Sequence, residues 1–148
     1  MSILIQLLSA LMGSLGFGLV FNVHGRKLLF AAAGGFLCWG IYLALSAGGL
    51  GDFEAAFLAS VAVFLYSEVC ARILRAPVTV FSAVAAIPLI PGAGLYRTMD
   101  ALMQRNYEVF MSEGMYTLLF AVSMSAGIVA AAAAFTLAGK LRRDHPLS

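Results

Sequence analysis

Apolar residues run along the chain in long unbroken stretches, and the charged residues sit in the gaps between them. One stretch runs from Ile3 to Phe21, a second from Leu28 to Ala47, and a third from Ala55 to Leu74. A fourth begins near Val78, after Pro77, and a last one runs from Met115 to Gly139. Each is close to the roughly 20 apolar residues that a helix needs to cross the hydrocarbon of a bilayer. The pattern predicts an all-α integral membrane protein with five transmembrane helices, residues 1–148 forming a single transmembrane domain.

The fourth stretch is interrupted. It reads IPLIPGAGLYRTM from Ile87 to Met99, with Pro88 and Pro91 followed by Gly92 and Gly94. Val78 to Ile87 covers ten residues, or about 15 Å of helix. That is half of a roughly 30 Å hydrocarbon core, so the interruption from Pro88 to Gly94 is expected near the membrane midplane. Proline lacks a backbone N–H and clashes with the preceding turn. Glycine accepts backbone angles that other residues avoid. The segment is expected to unwind or kink hard, with a half-helix restarting near Gly94. Backbone groups freed at that depth are tolerated only against protein or a wet cavity. Secondary transporters use discontinuous helices in this way, aiming the amides of a half-helix at an anionic group.

An amphipathic stretch, YRTMDALMQRNYEVFMSEG, follows the interruption. At helical spacing its polar side carries Arg97, Asp100 or Thr98, Gln104 and Glu108. Arg97 lies one turn into the half-helix and suits a carboxylate. Pro88, Pro91, Gly92, Ala93, Gly94, Tyr96 and Arg97 are the expected substrate-binding residues, with Gln104 in support. The bland alternative is a kink that serves packing alone, with Arg97 reaching to the outer interface.

Two further polar residues sit in or beside spans. Glu68 lies near the end of the third span, four residues before Arg72, in the helix order that favours an ion pair. It reads either as that pair or as a proton-carrying carboxylate, and Asp100 is the second candidate for proton coupling. Asn22, after the first span, reads as a cap or as a cavity donor.

Composition supports the membrane reading. Of 148 residues 62% are hydrophobic and 11% charged, against roughly 45–50% and about 25% in soluble domains. The N-terminus has no positive segment before its apolar run, which argues for a first span and against a cleaved signal peptide. The net charge of +2 says little, and no basic run suggests nucleic acid. The placement of charge says more. Arg26, Lys27, Arg72, Arg75, Lys140, Arg142 and Arg143 fall on one side of a five-span chain, and only Arg97 and Arg105 on the other. The positive-inside bias then puts the N-terminus outside and the C-terminus in the cytoplasm. Small residues crowd the spans, as at Gly13, Gly16, Gly34, Gly35 and Gly127, and allow close helix approach. Cys38 and Cys70 lack metal-ligand spacing, and His24 and His145 belong to no triad or zinc motif. No metal or other cofactor is expected, and no constellation suggests an intramembrane enzyme.

On FNVHGRKLL (Phe21 to Leu29), SEVCARILRAPVTVF (Ser67 to Phe81) and above all IPLIPGAGLYRTM, the chain resembles the threonine/serine exporter family. More closely, it is similar to the small subunit of its split, two-component forms. His24 stands where proline is common after FNV, and Ala93 where a third glycine is common. The resemblance implies a multi-pass protein of the bacterial inner membrane that exports small carboxylate-bearing metabolites. Serine and threonine, or succinate-like dicarboxylates, would leave at the expense of the proton gradient. It also implies a larger partner subunit with further spans. Five spans offer few helices to rock against one another, so a second chain or a homo-oligomer is expected on physical grounds as well. The alternative is a non-transporting membrane scaffold or assembly subunit.

Overall fold

A computed structural model describes residues 2–144, with side chains through residue 139; the side chains of Lys140, Arg142 and Arg143, and His145, lie outside that range. The described residues form six α-helices: α1 (Ile3–Val20), α2 (Arg26–Ala47), α3 (Asp52–Leu74), α4 (Val78–Ala86), α5 (Gly92–Met103) and α6 (Tyr107–Asp144). A 3-10 turn, Ile87–Leu89, continues α4. Four helices, α1, α2, α3 and α6, are long and apolar enough to span a membrane. The pair Val78–Leu89 and Gly92–Met103, bent by 53°, makes a fifth span if taken as one.

Local chemistry explains the boundaries. Asn22 adopts a left-handed φ of 59° and ends α1, with its N–H donating to the Leu19 carbonyl. Asn22 thus ends the helix through its backbone, and among the described residues its side chain makes no hydrogen bond. The turn then passes through Gly25 at φ 64°, a conformation glycine adopts without strain. Asp52 and Glu54 occupy the first turn of α3, where negative charge meets the positive end of the helix dipole. Arg75, at φ 48°, ends α3, and Pro77 precedes α4.

The sequence pattern differs from the structure after Met103. The expected last span began at Met115, but α6 begins at Tyr107. The amphipathic stretch is therefore divided between α5 and the first turns of α6. A tight turn at Gln104, Arg105 and Asn106 folds one back on the other, with Arg105 at φ 57° and the Asn106 N–H bonded to the Ala101 carbonyl.

Packing centres on α3, which lies against α2, α4 and α6, while α2 also packs on α1 and α4, and α5 packs on α6. Small side chains fill the contacts: Ala31, Ala55, Ala56, Ala59 and Ala85 are fully buried, beside Cys38, Phe81 and Val84. Three crossings share one device, a hydroxyl seated where a glycine lacks Cβ. Ser14 sits against Gly35, Ser60 against Gly127, and Thr117 against Gly94. Close backbone approach of this kind is the main source of helix affinity in lipid. The outer faces of α1 and α6, including Leu4, Leu8, Met12, Leu118, Val122 and Val129, are exposed.

One helix measures the bundle. Glu113 near the start of α6 meets Arg97, and Phe135 farther along lies 4.9 Å under the Arg72 guanidinium. Twenty-two positions of helix separate Glu113 from Phe135, about 33 Å. The two cationic contacts thus stand about one hydrocarbon thickness apart.

Candidate functional site

The interruption is shorter than its sequence suggests. Pro88 stays helical inside the 3-10 turn, and the half-helix restarts at Gly92, two residues before the expected Gly94. The tertiary amide of Pro88 tightens the turn instead of ending it, since the Ile87 N–H still reaches the Val84 carbonyl. Only Ile90 and Pro91 leave the helical path, at ψ 124° and ψ 55°. The Ile90 N–H donates to the Ile87 carbonyl, and the Gly92 N–H donates to the Ile90 carbonyl at 2.7 Å.

The start of α5 has no side-chain cap. The Leu95 N–H returns to the Pro91 carbonyl, and no bond is made by the N–H groups of Ala93 or Gly94 among the described residues. A helix start carries four such donors and a partial positive charge. Gly92 and Gly94 behave differently. A Cβ on Gly92 would meet nothing within 4 Å, whereas one on Gly94 would strike Thr117 of α6. Gly92 therefore borders open space, Ala93 beside it is exposed, and Gly94 is a buried crossing point. The hydroxyls of Ser14 and Thr117 are buried without a hydrogen-bond partner. They flank the interruption: Ser14 lies with Gly35 next to the Pro88 ring, and Thr117 with Gly94. Beside it, an apolar groove of about 430 Å³ runs between α4 and α6, lined in part by Ala83, Ile87, Ile90 and Met124.

The polar residues of α5 gather elsewhere. Arg97, Asp100 and Gln104 join Asn106 and Glu113 around a cavity of about 180 Å³ at the α5–α6 turn. Arg97 Nε donates to Glu113 Oε2 at 2.8 Å, and Gln104 Nε2 donates to Asp100 Oδ2 at 2.7 Å. Thr98 points the other way, buried toward α6 and bonded to the Gly94 carbonyl. Glu108 does not line this cavity, and Tyr96 is 73% exposed and lines neither place. From Gly92 to Gln104 is about 18 Å of helix. The residues expected in one site thus fall into two, an uncapped helix start and a charged cavity at the other end of α5. Arg97 is not a free cation at the midplane; it is shared with Glu113, which position-by-position reading of α5 did not bring into view.

Glu68 is held by Arg72 at 3.3 Å, with the Glu68 side chain 15% exposed. The ion pair is real, and Glu68 lies at the opposite end of the bundle from Asp100. A further cluster escaped the sequence. Asp52 accepts hydrogen bonds from Tyr42 at 3.2 Å and Tyr116 at 2.5 Å, joining α2, α3 and α6. Trp39, Tyr42, Phe53, Tyr116 and Phe120 form the aromatic layer around it. An acid in the first turn of a span was the available signal.

Comparison with known families decides the class. The family model described as "Threonine/Serine exporter, ThrE" matches residues 6–134. The chain belongs to the threonine/serine exporter family. The match begins within α1, takes in α2, α3 and the bent pair whole, and ends within α6. It makes the chain a multi-pass membrane transport protein, in a family of transporters and not of enzymes. No solved structure matches the chain.

Proposed function

We propose that this exporter-family chain is the membrane subunit of a proton-coupled secondary exporter, working with a larger partner subunit in a bacterial inner membrane. Its solutes are small carboxylate-bearing metabolites, serine and threonine first and succinate-like dicarboxylates as the second class. The observation that carries this reading is the bent span, whose second half begins with unbonded N–H groups at Ala93 and Gly94, next to open space at Gly92. An uncapped helix start in a low-dielectric medium attracts a carboxylate. Arg97 beside Glu113 and Asp100 then offers both signs of charge at the end of α5, a fitting second station for a solute carrying both an ammonium and a carboxylate group.

Glu68 and Asp100 are the proposed proton carriers, one at each end of the bundle. The N-terminus lies outside and the C-terminus in the cytoplasm, in keeping with the bias of Lys and Arg. The exposed apolar faces of α1 and α6 leave room for the partner or for further copies of the chain. A second reading, a non-transporting scaffold, draws on Gly94, which packs tightly on Thr117 and so uses one residue of the break for helix contact. Export of labelled serine, threonine and succinate from cells making the chain, with and without its partner, separates the two. Accumulation inside the cell on deletion, reversed by the wild-type chain, supports the exporter. Unchanged efflux of all three would favour the scaffold.

A further inference from the structure

Hydroxyls inside membrane helices normally satisfy themselves on their own backbone. Ser60, Ser67, Thr98, Ser125 and Thr136 all do so, each donating to a carbonyl three or four residues earlier. Thr117 does not. It is 3% exposed, and its Oγ1 has no partner. A glycine notch leaves both outcomes open: Ser60 in the notch of Gly127 still bonds to the Phe57 carbonyl, whereas Ser14 in the notch of Gly35 is unpartnered like Thr117. The notch that Thr117 occupies is Gly94, in the first turn of α5, beside the unbonded N–H groups of Ala93 and Gly94. Thr117 lies ten positions into α6 and four beyond Glu113, about 6 Å along the helix from the Arg97 contact.

A buried hydroxyl without a partner is destabilising, and persists where a partner arrives in another state. Here the neighbouring unpaired groups are N–H donors at the positive end of a helix, and open space lies in front of Gly92, with Ala93 exposed beside it. Three unpaired donors gathered around the first turn of one helix, in a site of low dielectric, select an acceptor with negative charge.

We infer that the Thr117 hydroxyl, together with the Ala93 and Gly94 N–H groups, holds the carboxylate of the transported solute at the first turn of α5. This rests on the exporter reading given above and adds α6 to the site. It makes Thr117 a specificity-determining residue: it separates a carboxylate from a neutral carboxamide of the same shape. It also makes the α5–α6 crossing responsive to solute, since the hydroxyl must leave its seat on Gly94 to meet the carboxylate.

The test uses the full chain in inverted membrane vesicles from cells that also make its partner, with Thr117→Val and Thr117→Ser. Uptake of L-serine is measured, with L-serinamide as competitor, alongside membrane level and melting temperature. Thr117→Val is expected to keep its membrane level and to melt no lower than wild type, because it removes an unsatisfied group. Its half-saturating L-serine concentration should rise about tenfold, with competition by L-serinamide unchanged and Thr117→Ser close to wild type. Wild-type half-saturation in Thr117→Val would overturn the assignment and leave the exporter reading standing. An equal loss for serine and serinamide would also overturn it. So would a fall in membrane level or melting temperature, which would make the hydroxyl part of the fold. Absence of serine uptake by wild-type vesicles would remove the exporter reading and this assignment with it.

Discussion

Arg97 and Glu113, sixteen positions apart, meet at 2.8 Å because a three-residue turn folds α6 back along α5. Arg97 is 54% and Glu113 30% exposed, so screening by solvent keeps the contribution of the pair to folding within about 1 kcal/mol. Arg97→Gln and Glu113→Gln should therefore each change the melting temperature little. Both should reduce transport of a zwitterionic solute several-fold, and Arg97→Lys should do so too, since it keeps the charge and loses the planar fork. Parallel measurement of melting and of solute uptake checks this; a large loss of stability with normal uptake by the refolded fraction would make the pair a structural clasp.

Glycines that look alike in the sequence should behave differently. A Cβ on Gly127 would meet Ser60 and stand 2.5 Å from the Phe57 carbonyl, backbone that cannot move aside. Gly127→Ala should cost about 1–3 kcal/mol by overpacking the α3–α6 crossing. Gly16 and Gly92 have nothing within 4 Å of the missing Cβ, and alanine there should be neutral or slightly stabilising to the fold. Melting temperatures in detergent, taken across the set, give the ranking directly.

Glu68 and Arg72 form an i, i+4 pair, and Arg72 also covers Phe135. The ion pair contributes about 0.2–0.5 kcal/mol. Arg72→Ala should be the more destabilising single change, because it also loses packing and a cation–π contact. If Glu68 carries a proton, exchanging the two residues leaves solute exchange intact and proton-driven accumulation abolished. Restored accumulation in the exchanged protein would move the coupling role to Asp100.

The layout of four long spans and a bent pair was legible because length and apolarity alone define a span. The break was legible because two prolines three apart have few other uses in a membrane helix. What escaped was the facing of each helix. A span that is apolar all round carries no periodic stripe to show which side packs, so the seats of Ser60 on Gly127 and Thr117 on Gly94 could not be anticipated. The turn at Gln104–Arg105–Asn106 has no glycine or proline to announce it. Arg105 adopts the left-handed conformation that such residues usually mark. Without that turn, positions 97 and 113 lie far apart along one continuous stretch, and Arg97 looks unpaired.

The topology has its own check. With the N-terminus outside, a reporter active only in the periplasm should be silent when fused after residue 148 and active when fused within the turn at residues 104–106. Activity at the C-terminal fusion would invert the orientation or change the number of spans.

The central claim is that the break at Ile90 and Pro91 exists for the solute and not for the packing of the bundle. The double change Pro88→Ala with Pro91→Ala tests it most directly, since it restores two backbone donors and lets α4 run on into α5. The account predicts wild-type membrane abundance, unchanged or raised melting temperature, and loss of serine and threonine export by at least tenfold. Normal export from this variant at wild-type abundance would contradict the account and leave the bend as a packing kink.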